Sequence, residues 1–228
     1  MSAPRIFDDP SALADAVARA AAGSLAAAQA ARGGAHLMLC GGRSPVDAYR
    51  RLAADRAVDW SRVDVWFCDE RAVPPDDDAS NYRLALETLA APAGVPLAHV
   101  HRMSAESADL DAAARAYDDA LAPAMDVAIL GIGEDGHVAS LFPGSPWLGE
   151  RTRRVAPVLD APKPPPRRMT VTPPVLERAA RVLVLAVGEG KADATAAALA
   201  ASGDPRRPPA RLVRAREWFV DRAAARGI

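Results

Sequence analysis

Four short runs of strand-forming residues each break off into glycine or charge. Leu37-Met-Leu-Cys40 runs into Gly41-Gly42-Arg43-Ser44-Pro45, and Val65-Trp-Phe-Cys68 into Asp69-Glu70-Arg71. Val127-Ala-Ile-Leu130 runs into Gly131-Ile-Gly-Glu-Asp-Gly-His137, and Leu183-Val-Leu-Ala-Val187 into Gly188-Glu-Gly-Lys191. Alanine-rich amphipathic segments separate these runs, and strands alternating with helices build a parallel sheet with helices on its faces. In such open sheets ligands bind beyond the carboxyl ends of the strands, which all point the same way. The expected fold is therefore α/β, a Rossmann-like, mainly parallel sheet with helices on both faces, and the four endings are expected to converge on one site.

The rest of the chain fits that frame. Asp9 as N-cap with Pro10 at the first helical position opens a long helix that Gly33-Gly34 closes. Patterning predicts strands over residues 36–40, 63–68, 126–130 and 181–187, with a weak strand signal around Val100. Helices are predicted from Pro45, over 80–90, over 108–121 and over 191–201. Further short strands are expected at 155–158, 169–172 and 211–220, and the proline clusters at 162–166 and 205–209 read as loops. No repeat interrupts the pattern, and residues 1–228 are read as a single domain, large enough to bury a substantial core.

With 28 basic against 29 acidic side chains, the net charge of -1 leaves no electrostatic surplus for nucleic acid or an anionic membrane. Any cationic site must be local. Lys163 and Lys191 are the only lysines among the basic residues, so a retained lysine marks a position to examine. The two cysteines, Cys40 and Cys68, end apolar runs and suit a reducing, cytoplasmic compartment. Asp8, Asp9 and Asp15 precede any apolar stretch, unlike a targeting peptide, and no run approaches a membrane span, so neither export nor insertion is expected.

At the first ending, two glycines bring backbone amides close to a ligand, Ser44 adds a hydroxyl, and a helix starts at Pro45, an arrangement that receives phosphate. Lys191 follows its strand in a glycine-rich turn from which an ammonium reaches a phosphoryl group. Arg71 offers a guanidinium fork, with Asp69 and Glu70 placed to orient it or to bind sugar hydroxyls. Gly131, Gly133 and Gly136 satisfy the dinucleotide-binding pattern, but Glu134 and Asp135 would oppose a pyrophosphate, and Pro143, Gly144 and Pro146 leave little room for the helix that motif requires. His137, two residues after Asp135 at a strand's carboxyl end, is instead the candidate for proton transfer near neutral pH. His99 and His101 would share one strand face, but no Cys or acid at fixed spacing completes a metal site, and His36 reads as structural.

Taken together, these blocks resemble the glucosamine-6-phosphate isomerase/6-phosphogluconolactonase family. The likeness rests on Gly41-Gly-Arg-Ser-Pro45, on Trp60-Ser-Arg-Val-Asp-Val-Trp-Phe-Cys-Asp69-Glu-Arg71-Ala-Val-Pro74 with Ser80-Asn81, and on Gly131 through Gly144. Arg168-Met-Thr-Val-Thr-Pro173, Gly188-Glu-Gly-Lys191 and the ending Pro209-Ala-Arg-Leu-Val with Trp218-Phe-Val-Asp221 continue it in the family's order. The resemblance implies a phosphate held by Gly41, Gly42 and Ser44 with Arg71, Arg168 and Lys191, substrate contacts at Asp69 and Asn81, and His137 as the proton-transfer residue with Asp135 beside it. Arg43 is bulkier than the residue usual at that loop position; it either points away or adds a phosphate contact. The implied reaction is hydrolysis of 6-phospho-D-glucono-1,5-lactone, with no cofactor or metal and a small-molecule substrate as partner, by a monomer or weak homodimer.

Two rivals are distinguishable. The glucosamine-6-phosphate deaminase-isomerases continue past the histidine with an Asn-Glu-Pro element, whereas this chain continues Val138-Ala-Ser-Leu-Phe-Pro-Gly144. A non-catalytic sugar-phosphate-binding regulator would carry a DNA-binding segment, and no basic helix-turn-helix is visible.

Overall fold

The computed structural model describes residues 3–204 and 207–228. Its strands are β1 (Arg5–Phe7), β2 (Ala35–Leu39), β3 (Val63–Phe67), β4 (Asp69–Arg71), β5 (Val127–Gly131), β6 (Val155–Val158), β7 (Arg168–Val171), β8 (Arg181–Ala186) and β9 (Glu217–Asp221). The α-helices are α1 (Pro10–Arg32), α2 (Val46–Ala53), α3 (Asn81–Ala85), α4 (Ala91–Ala93), α5 (Leu110–Ala120), α6 (Pro173–Arg178) and α7 (Ala192–Leu199). A π turn over Leu86–Ala90 joins α3 to α4.

Six strands form one sheet in the order β1-β9-β8-β5-β2-β3, and every pairing in it is parallel. Val127 through Leu130 are wholly buried, as expected of a central strand covered on both faces. The chain moves outward from β2 to β3 and then returns to β5 on the other side of β2. Strand order reverses there, and such a switch point opens a crevice above the sheet. The loops after β2 and β5 flank it.

Helix α1 begins as expected, with the Asp9 carboxylate accepting from the Ala12 amide at 2.8 Å, and ends at Gly33 with φ 81. Leu13, Val17, Ala21 and Leu25, spaced by four, form its buried face. Truncating Leu25 to alanine would cost about 2–5 kcal/mol through the cavity it leaves. Helix α2 is tied to the end of β2 by the fully buried Tyr49. Its hydroxyl accepts from the Cys40 amide at 3.0 Å and donates to the Cys40 carbonyl at 2.8 Å. Those backbone groups have left the ladder and need partners, so the phenol fixes where the Gly41 turn starts.

The other three strands form a separate antiparallel sheet, β4-β7-β6, in which Asp69 faces Thr170 and Arg71 faces Arg168. Patterning does not reveal β4, because Asp-Glu-Arg carries no strand signal. The three-residue edge strand β1 is also absent from the expectations, and the signal around Val100 reduces to one bridge with Val65. The predicted strand at 211–220 divides. Residues Pro209–Val213 form a 3-10 turn in which the largely buried Arg211 donates to the Ala197 carbonyl at 2.9 Å, and strand pairing begins only at Glu217. Proline at 208 and 209 supplies no amide to a ladder, whereas Pro205 lies outside the described residues.

Candidate active site

The loops after β2, β3, β5 and β8 meet in a cleft of about 470 Å³, lined among others by Gly41, Gly42, Arg43, Ser44, Asp69, Arg71, His137, Arg168 and Lys191. Convergence of four strand endings follows from the parallel sheet. Gly42 has φ 89 and open space around it, so only glycine turns comfortably there. Gly41 answers a different demand, because a Cβ would lie 1.8 Å from Asn81 Oδ1.

Gly133 and Gly136 serve the histidine loop rather than a dinucleotide. A Cβ on Gly133 would sit 2.0 Å from His137 Nδ1 and 2.4 Å from Asp135 Oδ1, so the missing side chain is what lets that pair close. Gly136 has φ 76 and packs against Pro208. No α-helix follows β5 before α6; the intervening chain makes a 3-10 turn at Pro146–Gly149 and the strands β6 and β7. His137 Nδ1 lies 2.5 Å from Asp135 Oδ1, which also accepts from the His137 amide at 3.3 Å. The imidazole packs on Phe142 with ring centroids 4.4 Å apart. With Nδ1 engaged, Nε2 is the nitrogen left for a reacting group. Burial pushes the Asp135 carboxyl up, but the hydrogen bond and charge of His137, aided by Lys163, outweigh it and hold the carboxyl at about 2.

The acids beside Arg71 take other roles than the sequence suggested. Glu70 neither orients the Arg71 side chain nor reaches the cleft. Its buried carboxylate accepts from the amides of Arg71 (2.8 Å), Asn81 (2.8 Å) and Tyr82 (2.7 Å) and from the Ser80 hydroxyl (3.2 Å), fastening the start of α3 to β4. Asp69 lines the cleft, yet it accepts from Ser140 Oγ at 2.7 Å and Asn81 Nδ2 at 3.1 Å. Asn81 lies behind the Gly41 turn, buried, and does not line the cleft. Arg71 donates to the Ala79 carbonyl at 2.5 Å, and its Nε is buried without a partner.

Arg71 and Arg168 stand opposite each other across β4 and β7, a like-charge pair that costs stability unless an anion or carbonyl dipoles compensate it. Arg168 is already committed. Its guanidinium donates to the carbonyls of Pro165 (2.9 Å), Lys163 (3.0 Å) and Pro164 (3.1 Å), pinning the first proline loop. That loop delivers Lys163 into the cleft, a residue to which the sequence reading assigns no role. The scarcity of lysine was the available signal, since both lysines of the chain line this one cleft. Burial lowers the Lys191 ammonium, Glu134 raises it, Lys163 lowers it, Asp135 raises it and Arg43 lowers it, so the cations crowd one another. At Gly188, φ is 89 and the amide donates to the Asp221 carboxylate, which anchors the turn carrying Lys191.

The histidines outside the cleft do not pair with each other. His99 lies in the 3-10 turn Leu97–His99, while His101 stacks on Trp66 and bonds Asp64 at 2.6 Å, with His36 3.8 Å from the same carboxylate. Among the described residues, no helix is long and apolar enough to cross a membrane.

Known proteins resemble the chain over nearly its whole length. The 6-phosphogluconolactonase of Mycobacterium tuberculosis is 42% identical over 98% of this chain and 97% of its own. That of Streptomyces coelicolor is 40% identical over 96% and 92%. The crystal structure of 6-phosphogluconolactonase from Thermotoga maritima superposes with a TM-score of 0.85 at 28% identity, over 97% of this chain and 100% of that one. Residues 8–220 match the family described as glucosamine-6-phosphate isomerases/6-phosphogluconolactonase, and the chain belongs to that family.

Proposed function

We propose that the chain hydrolyses 6-phospho-D-glucono-1,5-lactone to 6-phospho-D-gluconate, the second step of the oxidative pentose phosphate pathway, as a single-domain enzyme spanning residues 1–228. The observation that carries this reading is the His137–Asp135 pair, its free imidazole nitrogen in the same cleft as Arg43, Arg71 and Lys191. The phosphate sits among those cations and the Gly41–Ser44 turn, and its binding energy fixes the lactone carbonyl by His137.

The steps follow from that pose. Water adds to C1 as its proton passes to His137 Nε2, and the carbonyl π electrons move onto oxygen. Asp135 holds the ring's tautomer and stabilises the imidazolium. The oxyanion then re-forms the C=O bond, the bond from C1 to the ring oxygen breaks, and the imidazolium returns its proton to that oxygen. The acid so formed ionises to solvent.

The two free buried thiols, Cys40 and Cys68, support a reducing cytoplasmic setting, and the chain is proposed to act as a monomer or weak homodimer. The near-neutral net charge supports the absence of a nucleic-acid partner. The test is to generate the lactone in situ and follow its disappearance against spontaneous ring opening; acceleration is expected, and none would overturn the reading. Ammonia release from glucosamine 6-phosphate would identify a deaminase instead.

A further inference from the structure

The two lysines of this chain occupy different places in one cleft. Lys191 follows β8 in a turn anchored by Asp221, whereas Lys163 comes from the first proline loop, which closes with the Ala161 amide donating to the Pro166 carbonyl at 2.9 Å. Lys163 Nζ is 3.8 Å from Asp135 Oδ1, the same oxygen that lies 2.5 Å from His137 Nδ1. The ammonium is therefore on the proton-transfer side of the cleft. At 3.8 Å this ion pair is loose, and the side chain is 43% exposed, so its donors remain available to a ligand.

The loop is held unusually firmly for an exposed segment. Prolines at 162, 164, 165 and 166 restrict its backbone. Arg168, only 4% exposed, gives three donors to three consecutive carbonyls, those of Lys163, Pro164 and Pro165. The remaining guanidinium nitrogen, Nη1, lies 3.4 Å from Ser140 Oγ, which itself donates to Asp69. Burying a guanidinium is costly unless its hydrogen bonds are met. Here they are met largely by the loop that carries Lys163.

We infer that Lys163 is the cation that receives the negative charge developing on the lactone carbonyl oxygen, and that Arg168 is a positioning residue that holds the Lys163 loop in place rather than a phosphate ligand. The inference rests on the lactonase reading and adds to it a division of labour among the cations. Arg43, Arg71 and Lys191 face the phosphate, while Lys163 faces the carbonyl across from His137. When water adds to C1 and its proton goes to Nε2, the electron pair on the carbonyl oxygen lies against the ammonium. That pair returns to the C=O bond as the ring C–O bond breaks, so Lys163 gives up no proton.

The test uses the full chain with Lys163→Met, Lys163→Arg, Arg168→Met and the double variant Lys163→Met/Arg168→Met, each checked for an unchanged thermal transition. Lys163→Met is expected to lower kcat by roughly 10²-fold, the usual scale for one oxyanion donor, with KM moving less than about threefold. Lys163→Arg is expected to recover at least about a tenth of the wild-type kcat, and the double variant to be no slower than Lys163→Met, because the residues act through one contact. A rise in KM with kcat intact would place Lys163 at the phosphate and overturn the inference. So would equal losses in Lys163→Met and Lys163→Arg, or multiplying losses in the double variant. If the wild-type chain itself fails to accelerate ring opening, the lactonase reading fails first; if it is active and only Lys163→Met is silent, the inference alone fails.

Discussion

Asp69-Glu70 and Glu134-Asp135 are both adjacent acids at the carboxyl end of a parallel strand, and in the sequence nothing but their neighbours separates them. In the folded chain Asp69 and Glu70 are buried and saturated by the protein's own donors: Ser140 and Asn81 on Asp69, and three amides with the Ser80 hydroxyl on Glu70. Glu134 lines the cleft beside Lys191, and Asp135 partners an imidazole and a lysine ammonium. Burial raises the Glu70 carboxyl despite the amides of Asn81, Arg71 and Tyr82, whereas Asp135 is held at about 2. An acid after a strand becomes structural when a helix start closes over it, as α3 does at Glu70. It becomes chemical when a missing Cβ, as at Gly133, lets a histidine approach.

The largest break in this contrast is expected from Asp135→Asn, which keeps the shape but removes the charge and the acceptor that fix the His137 tautomer. A fall in kcat of roughly 10²-fold or more is expected in lactone hydrolysis. The same variant has a stability signature. A carboxyl held at about 2, below the ordinary aspartate value of 3.8, contributes stability that is present above that ordinary value and lost as pH falls through 2. Thermal unfolding of the wild type should therefore fall more steeply than that of Asp135→Asn as pH drops from 3.8 toward 2.

Lys191→Met should raise KM by about tenfold and lower kcat by less, since it removes a phosphate contact made equally in the ground and transition states. Glu70→Gln should do the opposite of Asp135→Asn. One amide oxygen cannot serve all the donors that converge on Glu70, and a buried N–H left unpaired costs about 1–3 kcal/mol. Denaturant midpoints should fall while kcat stays within about twofold. The smallest effect is expected at Ala139, which holds φ 50 on the turn after His137. Ala139→Gly should relieve that strain by less than about 1 kcal/mol, read as a slightly raised Tm.

Much of the fold was legible because the strands of the parallel sheet are short apolar runs that end in glycine or charge, and because Asp9-Pro10 and Gly33 mark the two ends of α1 without ambiguity. The smaller sheet was not. Residues Asp69–Arg71 pair only because β7 lies beside them, a long-range fact that local pattern does not carry. The site divided along the same line. His137, Lys191 and the Gly41–Ser44 turn announce themselves at strand ends, and Lys163 was flagged by rarity but hidden in a proline loop. The buried Ser140 lies within the block Val138 to Gly144 that carries the resemblance, but its joining of Asp69 to Arg168 is a long-range contact that local pattern does not show.

The central claim is that His137, oriented by Asp135, activates the water that opens the ring. It is tested most directly by measuring lactone disappearance with His137→Ala beside the wild type and the uncatalysed reaction. The account predicts that His137→Ala loses at least about 10³-fold in kcat and approaches the spontaneous rate, with its thermal transition intact. Turnover at the wild-type rate would contradict it.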